Sequence, residues 1–374
     1  MSSLRSNESK PIIAILTMPD NELFFRGNRT NFVDILKTGK DLGFLVYVVT
    51  VKDLILSGPR ILGYSYSSED QIWHPQWFPL PNVIYNRIPQ RSDEMRPEVK
   101  KKLEECINHP SIQLFNPFFF NKWTLFEWLK KSNSTHHLVP LTKRLRSSTT
   151  IEKMLTSHSY LYLKPESGKA GKGIMMIKYQ TDRKMPYRLK IQNHKNSTTY
   201  ETARVTKLWS RIKKEAGSSP YIIQQGIELS SIQNRPFDLR VLVQKNVRGR
   251  WGVTGVGARQ AGKSSITTHV PRGGSIEDPE KLLNTLFGQD TMRTIMNRVK
   301  SNSLLIAYQI EKAAGYPLGE MSIDLGVDGE GDIWFFEANS KPMKFDEPQI
   351  RKRSLERIFQ YCQFLAMNKK TNSV

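Results

Sequence analysis

Cysteine is scarce in this chain: its 374 residues include two, Cys106 and Cys362, far apart and outside any paired-cysteine motif. That spacing excludes a disulfide framework and a zinc site, and fits two ordinary buried thiols in a reducing compartment. Long apolar runs are missing as well. The first run, Ile12 to Met18, follows a polar MSSLRSNESK start and is too short for a membrane span or a secretion signal, which points to the cytoplasm. Acidic residues are outnumbered, 35 against 56 Lys and Arg, giving a net charge of +21 and a pI near 9.8. Such a balance implies an anionic partner and leaves open whether that is nucleotide, nucleic acid, an acidic protein or an anionic surface. No internal repeat or heptad run is present, and no G-x-G-x-x-G follows the first strand.

What is present reads as an α/β protein long enough for two or three packed subdomains. Ile12 to Met18 predicts a buried strand, Asn31 to Leu42 a helix stopped by Gly43, and Phe44 to Val51 a second strand. With a strand at Val83 to Tyr85, a helix over Pro97 to Ile107 and a strand at Ile112 to Phe115, this order predicts a parallel sheet. Tyr64 to Leu80, rich in Ser, Trp and Pro, reads as an irregular excursion. Arg87 falls at a strand end, as a ligand for a substrate carboxylate or as a surface arginine beside a turn.

Asn116 to Lys131 has helical spacing at Trp123, Phe126 and Leu129, with Lys122 at the helix start. A lysine at the positive end of a helix dipole is unfavourable without an anion, which makes Lys122 a phosphate-contact candidate. Tyr160 to Lys178 then reads strand, Lys164-Pro165, a loop with Gly168, Gly171 and Gly173, and another strand. Glycines let backbone amides approach phosphates, and lysines neutralise them; neither the P-loop residue order nor a following helix is present. Tyr160 to Ala216 holds 14 Lys and Arg against 4 Asp and Glu, mostly a solvated basic face. Glu201 to Ala216 predicts a basic amphipathic helix, and Tyr221 to Leu229 a strand, either an edge able to offer its backbone to a purine or an ordinary strand. Asp238 to Gln244 and Trp251 to Ala258 predict an antiparallel pair, and Ser354 to Leu365 a packing helix.

The most informative stretch is Met321 to Asp346. Asp324 is read as closing an apolar strand, Asp328 to Asp332 as a hairpin turn, and Ile333 to Phe336 as a strand delivering Glu337 and Asn339. Hard divalent cations take oxygen ligands, commonly one or two carboxylates plus phosphate oxygens, so Asp followed by Glu-x-Asn suits a metal bound to a triphosphate. Asp328, Glu330 and Asp332 are read as turn residues, and a solvated strand end is the other reading of Glu337.

Taken in order, these pieces resemble the ATP-grasp superfamily. Within it the segments NVIYNRIPQR, KPESGKAGKGI and FFEANSKP are similar to bacterial YheC/YheD-type proteins, which are associated with the endospore coat, and the likeness covers the chain after residue 10. The resemblance implies an ATP-grasp fold behind an N-terminal parallel α/β pre-ATP-grasp domain: residues 1–115, a central lid at 116–217 and a metal-bearing part at 218–374. It implies ATP held by Lys122, Lys164, Ser167, Gly168, Lys169, Gly171, Lys172 and Gly173, an adenine pocket of Gln224, Gln225 and Ile227, and Mg²⁺ or Mn²⁺ on Asp324, Glu337 and Asn339. Arg240, Arg259 and Arg272 would neutralise the transferred phosphate or hold a carboxylate. His269 is read as a proton acceptor or a hydrogen-bonded loop histidine. Lys169 stands where related loops more often carry a small hydroxyl residue, so this lid is unusually cationic. The implied activity is ATP-dependent ligation of a carboxylate to an amine, in a cytoplasmic or spore coat-associated homodimer with no membrane span that meets coat proteins rather than nucleic acid, its cationic lid either strengthening ATP binding or recruiting an acidic second substrate. The competing expectation is a coat protein that binds nucleotide on this fold without turnover.

Overall fold

The computed structural model describes residues 10–168, 172–192, 197–262 and 274–368. β1 (Ile13–Thr17) is buried at every position, the pattern of a strand covered on both faces. A small ladder of β2 (Pro19–Asp20) and β3 (Phe24–Phe25) leads to α1 (Arg29–Asp41), whose first turn is capped by the Asn28 side chain accepting the Asn31 amide. The chain continues through β4 (Val46–Thr50), β5 (Arg60–Tyr66), β6 (Trp73–Pro79), β7 (Val83–Asn86), α2 (Arg91–Glu94), α3 (Pro97–Asn108) and β8 (Gln113–Phe115). The resulting sheet has the order β6-β5-β4-β1-β7-β8, with β4, β1, β7 and β8 parallel. The stretch expected to be irregular is instead largely the β5–β6 hairpin. Its prolines are compatible with a strand because Pro75 and Pro79 lie on the outermost one, where a missing backbone donor can face solvent.

The second sheet is antiparallel. After α4 (Lys122–Lys130) come β9 (Thr142–Arg144), α5 (Ser148–Leu155), β10 (Tyr160–Pro165), β11 (Met175–Tyr179), β12 (Tyr187–Gln192), β13 (Ser197–Thr202), α6 (Val205–Ala216) and β14 (Tyr221–Gln225), in the sheet order β13-β12-β11-β10-β14-β9. Helices α5 and α6 bury Ile151, Met154, Leu208 and Ile212 against Leu161, Leu163, Ile177 and Ile223 on one face. α6 begins at Val205, later than the sequence suggests, because Glu201 and Thr202 pair with β12. β14 is not an edge: β10 and β9 flank it and use its backbone groups, so a purine has no free strand edge there.

The third sheet takes β15 (Ser231–Ile232), β16 (Arg235–Lys245), β17 (Trp251–Gln260) and β18 (Ser275–Glu277), then, after α7 (Pro279–Phe287) and α8 (Gln289–Ala314), β19 (Glu320–Val327) and β20 (Ile333–Asn339). Its order is β18-β17-β16-β19-β20, with β15 also on β16. Period-two alternation sends Leu239, Val241, Ile323, Leu325 and Phe335 into a core with α4 and α8, while Arg240, Asp324 and Glu337 take the opposite face. Asp324 does not close its strand, which continues to Val327. The final helix, α9 (Pro348–Met367), returns to the first sheet, packing Phe359, Tyr361 and Cys362 with Ile15, Tyr85 and Phe115. Both cysteines are buried and free, and no helix among the described residues is long and apolar enough to cross a membrane.

Buried polar groups join the first sheet to the third. Glu320, 4% exposed, accepts hydrogen bonds from Tyr85 Oη, Arg87 Nη1 (3.2 Å) and Gln244 Nε2 (3.1 Å). Arg87 also donates to Pro342 O at 3.0 Å, so it is committed to the protein rather than held out to a substrate. Asn116, at φ +55°, donates to Glu320 O and Ser340 O and accepts the Gly319 amide. Burial raises the Glu320 carboxyl above the usual carboxylate range, with Arg87 and the hydrogen bonds opposing that rise. Removing one partner of such a pair strands a charge away from water. Arg87→Ala should therefore destabilise the fold by about 3–5 kcal/mol, read as a lowered thermal unfolding midpoint; an unchanged midpoint would contradict a seam built on this pair.

Candidate functional site

The inner face of the second sheet is set by the Tyr-Leu-Tyr-Leu-Lys alternation of β10. Leu161 and Leu163 point to the helices, leaving Tyr160, Tyr162 and Lys164 on the other side, with Gln224 opposite Tyr162 and Ile222 opposite Lys164. Ile222 packs into the third sheet's core, so this face looks toward that sheet. Gly226 follows β14 where the Tyr160 ring lies across the backbone; a Cβ there would fall 2.1 Å from the ring, which excludes larger residues. Gly173, at φ +73°, gives its carbonyl to Tyr221 Oη at 2.9 Å.

Facing it, the polar side of the third sheet brings charges together by register. Arg240 lies opposite Asp324, and Asp324 opposite Glu337. A bulge leaves Phe336 as the extra residue of β20, and the Lys164 ammonium sits 5.4 Å from the centre of its ring. Arg240 holds Asp324 in a bidentate ion pair, both contacts 2.6 Å. Lys122, first residue of α4, reaches Glu337 Oε1 at 2.6 Å and Gly168 O at 3.4 Å, so a carboxylate offsets its clash with the helix dipole. Lys164 donates to Gln224 Oε1 at 2.6 Å, and Gln224 Nε2 donates to Thr142 Oγ1 at 2.8 Å.

Burial pushes the Lys164 amine down to about 8, against the pull of Glu337 upward and with a push from Lys122. Burial likewise lowers Arg259, opposed by Asp324, whereas the Asp324 partnership leaves Arg240 raised despite burial. A desolvated lysine amine with a second cation, Lys122, beside it is a site that an anion would complete.

The expected residues thus fall into three groups. Lys122, Lys164, Gln224, Arg240, Asp324 and Glu337 are brought together, with Arg259 and Asn339 on the same sheet face, Asn339 opposite Ser322. Gln225 Oε1 instead accepts the Leu141 amide at 3.2 Å, Ile227 lies just past β14, and Ser167, Gly168, Lys172 and Gly173 follow β10, Lys172 exposed. Lys169, Gly171, His269 and Arg272 lie outside the described residues. Thr142, Tyr162 and Phe336 escaped the sequence reading; the alternation of β10 was the available signal for Tyr162, while the Phe336 bulge leaves no mark in the sequence.

Among the described residues no cluster of three His, Cys, Asp or Glu groups stands ready for a metal. Asp324, Glu337 and Asn339 instead offer two adjacent carboxylates and an amide oxygen, a set that fits a hard cation sharing its shell with phosphate oxygens. Arg240 and Lys122 neutralise the two carboxylates meanwhile.

Residues 111–365 match the family model described as YheC/D like ATP-grasp. The endospore coat-associated protein YheD of Bacillus subtilis is 29% identical over 300 residues, covering 79% of this chain and 65% of YheD. The chain therefore spans just under two thirds of that relative. Endospore coat-associated protein YheC of the same bacterium is 20% identical over 336 residues, 89% of this chain and 91% of YheC. Two solved structures share the fold: D-alanyl-alanine synthetase A of Vibrio cholerae, with TM-score 0.52 and 14% identity over 98% of this chain and all of that one, and VanG D-Ala:D-Ser ligase of Enterococcus faecalis, with TM-score 0.54 and 12% identity over 96% of this chain and all of that one.

The charge arrangement has a direct test. In lysine-labelled protein, Lys164 should titrate by NMR near pH 8, and at lower pH in Glu337→Gln, where the strongest charge raising it is gone. Titration in the ordinary lysine range, unmoved by Glu337→Gln, would contradict the geometry.

Proposed function

The chain belongs to the YheC/D-like ATP-grasp family, and from that premise we propose that it is an ATP- and divalent metal-dependent carboxylate–amine ligase. One observation carries the proposal: two antiparallel sheets face each other across a charged cluster in which Asp324 and Glu337 each meet a cation, while the Lys164 amine, brought down by burial to about 8, bonds to a neutral glutamine. In this reading Lys122 and Lys164 hold the phosphates of ATP with the loop Ser167 to Gly173, including Lys169, Gly171 and Lys172, while Gln224, Gln225 and Ile227 flank the base. Asp324, Glu337 and Asn339 hold Mg²⁺ or Mn²⁺, and Arg240, Arg259 and Arg272 neutralise the group in flight. The proposed domain limits are those of the sequence, 1–115, 116–217 and 218–374. The three sheets support them, although β14 lies in the second sheet, α4 in the third sheet's core and α9 on the first.

Phosphoryl transfer depends mainly on positioning and electrostatic stabilisation, so a site of lysines, arginines and a metal needs no protein nucleophile. A carboxylate oxygen of the first substrate attacks the γ-phosphorus and ADP leaves; the amine then attacks the acyl carbon, phosphate leaves, and the amine's proton passes to solvent. A metal held by Asp324, Glu337 and Asn339 would neutralise phosphate charge. Arg240 is already oriented by Asp324 on one side of the cluster, and Lys122 by Glu337 on the other. A cation held by Asp324, Glu337 and Asn339 would take over the neutralisation of the carboxylates, leaving Arg240 and Lys122 to turn to phosphate.

The names of YheD and YheC favour a second reading, a coat-associated protein that binds nucleotide without turnover. Incubation with ATP, Mg²⁺ and pools of carboxylates and amines separates the two. The ligase reading predicts ADP formation that requires both substrates, transfer of a heavy-oxygen label from carboxylate to phosphate, and at least about a hundredfold loss in Glu337→Gln. Nucleotide binding with no substrate-dependent ADP in any pool would favour the second reading.

A further inference from the structure

The excess positive charge remains unexplained by the site between the sheets. Much of it lies on the far side of the second sheet, where α6 runs beside β13. An open groove of about 450 Å³ there is lined by Tyr200, Thr206, Lys207, Ser210, Arg211 and Lys214. Leu208 and Ile212 turn inward, so Lys207, Arg211 and Lys214 share the outward stripe at i, i+4 and i+7. Among the described residues Lys207 and Lys214 have no ion pair, and both are exposed. Arg211 sits 5.6 Å from the centre of the Tyr200 ring and pairs with Glu215, yet its Nε–H is buried with no acceptor among the described residues.

The other wall of the groove is β13, the outermost strand of the second sheet. β13 pairs with β12 along its full length, and among the described residues no strand lies on its outer side. Its sequence, Ser-Thr-Thr-Tyr-Glu-Thr, favours strand structure and has neither Lys nor Pro, the residues that usually blunt an edge. Its single acid, Glu201, is neutralised by Arg188 at 3.2 Å.

We propose that this groove binds an extended acidic polypeptide segment, added as a strand on β13 with its carboxylates on Lys207, Arg211 and Lys214. Side chains on one face of a strand repeat about every 6.7 Å, against a helix rise of about 6 Å from Lys207 to Arg211 and about 4.5 Å on to Lys214, a shortfall that the long, flexible lysine side chains can span. Backbone hydrogen bonds to the edge supply affinity and the lysines supply specificity for acids. Nucleic acid fits less well, because Tyr200 is the single aromatic ring lining the groove and a stacking platform needs several. The inference is independent of the ATP site, so either can fail alone.

The test is fluorescence anisotropy, without nucleotide, on the full chain and a labelled peptide of about eight alternating Glu and Val residues, matched to the strand length. Saturable binding should weaken about tenfold in Lys207→Gln/Lys214→Gln, a variant whose unchanged unfolding midpoint shows that it folds. Methylating alternate backbone amides of the peptide should abolish binding at unchanged charge. Binding that ignores the lysine substitutions, binding that survives amide methylation, or displacement by a single-stranded oligonucleotide of equal charge more readily than by unlabelled peptide would each overturn the proposal.

Discussion

Two carboxylates, two lysines and an arginine are held between facing sheets, and four of these five charges are tolerable there because they form two ion pairs. Asp324 with Arg240 and Glu337 with Lys122 form the framework, and the remaining amine, Lys164, is hydrogen-bonded to a neutral glutamine. Desolvation of these groups is expensive. The apolar side of the same strands repays it by packing Leu239, Val241, Ile323, Leu325 and Phe335 against α4 and α8. The strand alternation that buries the core therefore also fixes the charges on the opposite face, and neither arrangement survives a one-residue slip in register.

The same logic recurs at the seam with the first sheet. Glu320 opens β19, four residues before Asp324, and meets Tyr85 and Arg87 at the end of β7. Nearby Lys341, just after β20, pairs with Glu94, and burial brings its amine down to about 8. Strands β19 and β20 thus carry one set of charges toward the second sheet from within the strands and, at the start of β19 and just past the end of β20, another toward the first.

Much of this was legible in the sequence. The Asp324 and Glu337–Asn339 pattern, the misplaced lysine at the start of α4, and the Lys-Pro loop each broke a local rule, and ligand-dependent sites are where such breaks are expected. Less legible was the Tyr64–Leu80 hairpin, because proline at a sheet edge looks the same in sequence as proline in a loop. The edge status of β14 was misjudged because its partners, β10 and β9, are distant in sequence or short. Thr142 and Phe336 gave no signal: one is placed by a three-residue strand and the other by a bulge.

The central claim, that the charged cluster between the sheets is a metal–nucleotide site, is tested most directly by calorimetric titration of the intact chain with ATP, with and without Mg²⁺. The account predicts binding that tightens with Mg²⁺, and loss of that metal dependence in Asp324→Asn/Glu337→Gln. Absence of ATP binding under both conditions, or metal-dependent binding unchanged in the double variant, would contradict it.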